Sequence, residues 1–175
     1  MRFVADTCFL IDWARYRRRG LLERLFNYGF IIEDVLVEVE SERTLSYIGD
    51  LLGKGFLAIY PVTRDLVAEA VSLIDFSARH PEVRTLDPPE ALVLTIAKRE
   101  GVVCLTENRG ALEVVRKHPG YSGVRVWTSY NVLKKVWEGG LTGGANLEDL
   151  LKEYEEDTGH KFPRRVRRSG EGARK

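Results

Sequence analysis

The 175-residue chain has few of the residues that staple, anchor or ligate: two cysteines, three histidines and one methionine. Cys8 and Cys104 lie among apolar residues, and neither has a His or a second Cys at metal-ligand spacing. A disulfide framework and a zinc knuckle are therefore excluded. Both thiols are expected to be buried in a reducing compartment. His80, His118 and His160 are scattered and make no zinc pattern. No apolar run approaches the ~18 residues of a membrane span. The opening residues Met1-Arg2-Phe3-Val4-Ala5-Asp6 lack a signal-peptide profile, which makes the cytoplasm the expected location. The formal net charge is only +1, so overall charge does not point to nucleic acid.

What is present suits one soluble domain with a short extension. Hydrophobic residues make up 44% of the chain, enough to bury a core at this length. Apolar runs at Phe3–Ala5, Phe30–Ile32, Phe56–Ile59, Val102–Leu105 and Val124–Trp127 read as strands. Most are continuously apolar, the pattern of strands covered on both faces. Between them, helical spacing recurs at Leu21, Leu22, Leu25 and Phe26. It recurs again at Leu66, Val67, Ala70, Val71 and Ile74, and at Ala91, Leu92, Leu94 and Ile96. Thr63 can cap one helix, Pro88 and Pro89 suit the first turn of another, and Gly101 suits its end. Gly139-Gly140 and Gly143-Gly144 mark a loop between the last two helices. Alternating strand and helix predicts an open α/β sheet with helices on both faces.

Ligands of such sheets bind outside the carboxyl ends of the strands. Asp6 follows the first strand directly, and Thr106, Glu107 and Asn108 follow the fourth. Glu90 opens the helix before the fourth strand, and Glu38 lies in the helix after the second. A dinucleotide fold would need glycines where Asp6-Thr7-Cys8 stands. A P-loop is absent, and an aspartyl-phosphate phosphatase would want an acid at Cys8.

Phe3-Val4-Ala5-Asp6-Thr7 followed by Phe9-Leu10-Ile11 resembles the opening motif of PIN domains, a strand ending in Asp and then Thr or Ser. Asp34-Val35-Leu36-Val37-Glu38-Val39 resembles their second motif. Leu86-Asp87-Pro88-Pro89-Glu90-Ala91 resembles the third, and Val103-Cys104-Leu105-Thr106-Glu107-Asn108 the fourth. Val126-Trp127-Thr128-Ser129 through Leu133, then Gly139-Gly140-Leu141, is similar to the close of many prokaryotic members. The resemblance spans roughly residues 1 to 160, and four motifs in order are far more specific than any one. It implies a three-layer α/β/α sandwich with a five-stranded parallel sheet of order 3-2-1-4-5. It also implies a metal-dependent nuclease, often acting on RNA. Many relatives are VapC-type toxins held by an antitoxin protein, and homodimers are common among them. Phe26, Tyr28 and Trp137 are candidate dimer contacts in this chain.

Asp6, Glu38, Glu90 and Asn108 are thus the expected catalytic and metal-holding set. The cofactor would be Mg²⁺ or Mn²⁺, since hard cations offset clustered carboxylates and prefer oxygen. Asp6 and Glu90 are the expected direct ligands, with Glu38 completing the cluster or binding through water. Thr7 or Thr106 would orient a carboxylate by hydrogen bonding. Asn108 departs from the pattern, which has Asp there. It keeps a carbonyl oxygen but brings no charge, so a non-catalytic RNA- or protein-binding module is the alternative.

Each residue also has a structural reading. Asp6, Asp87 and Asn108 can cap helices. Glu90 suits a helix dipole, and Glu38 is preferred to Glu40 only on motif spacing. Arg15, Arg17, Arg18 and Arg19 are either a solvated helix end or a guide for a phosphate backbone, with Arg15 and Arg18 the expected substrate contacts. Residues 161–175 form a basic tail, carrying Lys161, Arg164, Arg165, Arg167, Arg168, Arg174 and Lys175 against Glu171. That composition predicts poor order from about residue 164.

Overall fold

The computed structural model describes residues 1–163. The arginine-rich tail expected to be poorly ordered lies outside the described residues. The order of elements is β1 (Arg2–Ala5), α1 (Thr7–Arg15), α2 (Leu21–Leu25), β2 (Tyr28–Ile31), α3 (Glu33–Glu38), α4 (Glu42–Gly53) and β3 (Leu57–Ile59). It continues with α5 (Arg64–Arg79), α6 (Pro88–Glu100), β4 (Val103–Leu105) and α7 (Arg109–Lys117). A 3-10 turn at Pro119–Tyr121, β5 (Val126–Trp127), α8 (Ser129–Glu138) and α9 (Leu147–Thr158) complete it.

The five strands are parallel and ordered β3-β2-β1-β4-β5, as the resemblance implied. Helices cover both faces in a three-layer sandwich. In one group α1 packs on α4 and α9, and α8 on α2 and α9; in the other α6 packs on α5 and α7. Chain order reverses direction across the β1–β4 pair, because β2 and β3 extend one way and β4 and β5 the other. That pair is the switch point at which open sheets form a crevice. Its register sets Ala5 beside Leu105, and the Asp6 N–H donates to the Leu105 carbonyl at 3.0 Å. Asp6 and Thr106 therefore leave the sheet side by side.

Local chemistry explains the boundaries. Thr63 accepts from the Leu66 N–H and starts α5. Pro88 and Pro89 occupy the first turn of α6, where a missing N–H costs nothing. Gly101 closes α6 with φ 63°, a left-handed conformation that favours glycine. Gly139-Gly140 and Gly143-Gly144 do lie between α8 and α9.

Phe3, Val4 and Ala5 are fully buried on the central strand. The Phe3 ring meets Phe26 edge-on at 4.8 Å and fills the space above Gly29 on β2. A β-carbon at Gly29 would stand 2.2 Å from Phe3 Cζ. Gly29→Ala is expected to destabilise the protein by roughly 1–3 kcal/mol through overpacking. Urea unfolding followed by circular dichroism measures this, and an unchanged midpoint would refute it. Phe26 is committed to the core at 2% exposure and cannot serve a dimer, contrary to the expectation from sequence. Cys104 is buried as expected, but Cys8 is exposed because it faces out from the first turn of α1. The packed chain runs through Phe162, which is buried and whose N–H donates to Glu155 Oε1 at 2.8 Å.

Candidate metal centre at the carboxyl edge of the sheet

Asp6 is the residue at which β1 becomes α1. It caps α1, accepting from the Phe9 N–H at 2.8 Å through Oδ1. Its other oxygen, Oδ2, accepts from the Thr106 hydroxyl across the switch point. The capping role and the site role therefore coexist on two different oxygens. Burial pushes the Asp6 carboxyl up to about 7. The Thr106 and Phe9 hydrogen bonds oppose the shift, and the charges of Glu90 and Glu107 add to it.

Glu90 sits in the first turn of α6 and reaches back, accepting from the Asp87 N–H at 3.0 Å through Oε2. Its Oε1 accepts from the side-chain amide of Asn108. Glu38 ends α3, and its Oε2 accepts from the Thr7 hydroxyl. The structure thus links Asp6–Thr106, Thr106–Asn108, Asn108–Glu90 and Thr7–Glu38 into two chains of hydrogen bonds that begin at adjacent residues. The Thr106 hydroxyl also accepts from the Asn108 N–H at 2.9 Å, which ties Asp6 to Asn108 through one side chain.

Asn108 takes the helix-capping role that the sequence allowed it. Its carbonyl oxygen accepts from the Gly110 N–H at 2.6 Å and caps α7, which occupies one of the two lone pairs it could offer a cation. The NH₂ group is the end presented to Glu90. Where an aspartate would add a like charge, Asn108 donates a hydrogen bond. This geometry depends on Gly110, which sequence reasoning did not single out. A β-carbon there would lie 2.8 Å from the Arg84 carbonyl and 2.9 Å from Asn108 Oδ1. Glycine lets the first turn of α7 slide under the loop that leads into α6. Its only sequence signal is its position two residues after a capping Asn.

Arg18 and Arg17 are not free substrate contacts. Arg18 pairs with Glu153 on α9 at 2.6 Å, and Arg17 with Asp157 at 2.7 Å. Both are used to fasten α9 to the end of α1. Arg15 remains exposed, and its charge is felt by Asp12 on the same helix.

Three further groups belong to the rim. Glu107 turns away from Asn108 and accepts from the Ser129 N–H at 2.6 Å, at the start of α8. His160, just past α9, lies 3.8 Å from Glu107 and 3.9 Å from Asp12. Burial raises the Asp12 and Glu107 carboxyls, and the His160 charge opposes both shifts. Nothing in the local sequence signals this cluster, which joins His160 to residues 53 and 148 positions before it.

Cys8 reports the field at the mouth. Its thiol is pushed up to about 11, by partial burial first and then by Asp6, Glu90, Asp12 and Glu38. Four carboxylates therefore converge around one exposed side chain. Among the described residues, however, no three His, Cys, Asp or Glu side chains are close enough to ligate one ion together. Mg²⁺ keeps several waters and takes one or two protein carboxylates, so an all-oxygen acidic mouth of this kind fits it. Asp6 and Glu90 would hold it directly and Glu38 through water. No protein-family model matches the chain. A search of curated proteins found no match either.

Proposed function

We propose that this chain is a divalent-metal-dependent endonuclease that hydrolyses phosphodiester bonds, with RNA as substrate. The observation that carries the reading is the buried Asp6 carboxylate at the switch point, joined through Thr106 and Asn108 to Glu90, with Glu38 held by the adjacent Thr7. The motif order similar to PIN domains supports the same chemistry. When bound, Mg²⁺ or Mn²⁺ would neutralise the phosphate and lower the pKa of a water for attack.

The protein's own contribution is orientation. Thr106 and the Phe9 N–H fix both oxygens of Asp6 in a buried position. The Asp87 N–H and the Asn108 amide hold the two oxygens of Glu90. Thr7 steers Glu38 toward the mouth. Such outer hydrogen bonds typically set ligand affinity by 10–100-fold. Cleavage of a labelled single-stranded RNA pool should require Mg²⁺ or Mn²⁺, stop in EDTA, and fall sharply in Glu90→Gln. Equal cleavage in EDTA would exclude the reading. The toxin role and its antitoxin partner are part of this proposal only by resemblance.

Asn108 favours one second reading, a domain that binds RNA or protein without cutting. Its neutral amide leaves the mouth one negative charge short of the four-acid pattern. Asn108→Asp is expected to keep the α7 cap, since Asp accepts from the Gly110 N–H equally well. It should also add a like charge beside Glu90. Mg²⁺ affinity by isothermal titration should rise about tenfold, with metal-free stability reduced by roughly 1 kcal/mol. Robust cleavage by the unaltered chain would rule out the non-cutting reading; new cleavage only in Asn108→Asp would establish it.

A further inference from the structure

A mouth lined by Asp6, Asp12, Glu38, Glu90 and Glu107 repels a polyanion, so cations at its margins must offset that repulsion. Of the arginines that the sequence offered for this, Arg15, Arg17, Arg18 and Arg19, two are spent: Arg17 on Asp157 and Arg18 on Glu153. Arg19 lies over the Tyr47 ring and donates to the Ala14 carbonyl. Three cations stand close in sequence to residues of the site, on three separate segments of the chain. Arg109 directly follows Asn108 as the first residue of α7 and is exposed. Lys161 directly follows His160, whose ring faces Glu107 and Asp12, and is exposed. Arg15 ends α1 one turn beyond Asp12 and is exposed. None of the three makes a salt bridge or side-chain hydrogen bond among the described residues.

Long cationic side chains left unpaired around a cluster of acids are arranged for an anion that spans the cluster. The anchoring of each position is independent. Arg109 is placed by the Asn108 cap, Arg15 by the buried α1, and Lys161 by His160 on one side and buried Phe162 on the other. We infer that Arg15, Arg109 and Lys161 are the backbone-phosphate contacts of a single-stranded nucleic acid laid across the acidic mouth. The inference rests on the nuclease reading for its substrate class, and Arg109 and Lys161 go beyond the contacts expected from sequence. They act as positioning residues and leave the reacting groups to Asp6 and Glu90.

The test is the salt dependence of binding of the full chain, in EDTA, to a fluorescein-labelled oligouridylate read by anisotropy. Each lost phosphate contact to a single strand lowers the slope of log K against log salt by about 0.7. The combined Arg15→Gln, Arg109→Gln, Lys161→Gln variant should lose about 2 from the slope, and each single variant about 0.7. Lys54→Gln, which removes the Glu23 partner at the opposite edge of the sheet, should leave it unchanged. With Mg²⁺ present, the triple variant should show a raised KM with kcat kept. An unchanged slope, or no binding by the unaltered chain at low salt, overturns the inference. So does a slope that falls only when Arg164, Arg165, Arg167 and Arg168 are neutralised. Because binding is read without metal, absence of cleavage would sink the nuclease reading while leaving these outcomes legible.

Discussion

Asp6→Asn is expected to abolish metal-dependent cleavage while making the metal-free protein more stable at pH 8. The loss of activity should be roughly 10²-fold or more, since a metal-held charge contributes several kcal/mol to the transition state. The gain in stability follows from linkage. Asp6 is raised from about 4 when unfolded to about 7 when folded, so the folded state holds its proton more tightly. The stabilisation from protonated Asp6 is complete below about pH 4 and is lost as pH rises through 7. At pH 8 the buried carboxylate therefore costs the folded protein, at most roughly 4 kcal/mol. Asn108 shows that an amide is accommodated at this edge, and Asn at position 6 keeps an oxygen for the Phe9 N–H. The measurement is the melting temperature in EDTA from pH 5 to pH 8. The unaltered chain should lose stability across that range, and Asp6→Asn should lack that component. Added Mg²⁺ should restore the unaltered chain at pH 8, because a ligand of the folded state stabilises by mass action. A variant that is inactive and also less stable at pH 8 would mean that Asp6 is a structural cap without a cation site.

Trp13→Ala should produce the largest loss of stability. Trp13 is fully buried on α1, stacked on Phe9 at 5.3 Å. Its ring also meets Tyr16 at 5.6 Å and Tyr154 of α9 at 5.7 Å. Its indole N–H donates to the Arg19 carbonyl at 2.9 Å. Truncation removes the transfer free energy and leaves a cavity, which costs roughly 3–5 kcal/mol. That is a large part of the ~5–15 kcal/mol by which a domain is stable. The same ring holds α9 against α1, so the Arg17–Asp157 and Arg18–Glu153 pairs should weaken with it. Trp13→Phe keeps most of the contact and loses the hydrogen bond, for roughly 1–2 kcal/mol. Chemical denaturation read by circular dichroism orders the three proteins, and equal midpoints would refute the argument.

The two variants separate two kinds of burial in α1. Trp13 is buried because an apolar ring gains by it. Asp6 is buried although it loses by it, and the loss is offset only partly by Thr106 and the Phe9 N–H. Groups held at a cost to folding cluster where chemistry is done. Asp6 and Trp13 lie two turns apart on one helix, so α1 ties the site to the core directly.

Sequence alone determined the alternation of strands and helices, the caps at Thr63 and Asp87, the αL glycine at 101 and the place of Asp6, Glu38 and Glu90. Hydrophobic period and backbone preference act over a few neighbouring residues, and the chain displays them openly. Only the tertiary structure decided which way each side chain turns once the strands are in register. The pairing of Ala5 with Leu105 set Thr106 on Asp6, and Gly110 turned the Asn108 amide toward Glu90. The docking of α9 took Arg17 and Arg18 away from the mouth and brought His160 to it. Those contacts join residues 18 to 140 positions apart. Their energies depend on the register of strands and the docking of helices, which no local pattern in the sequence encodes.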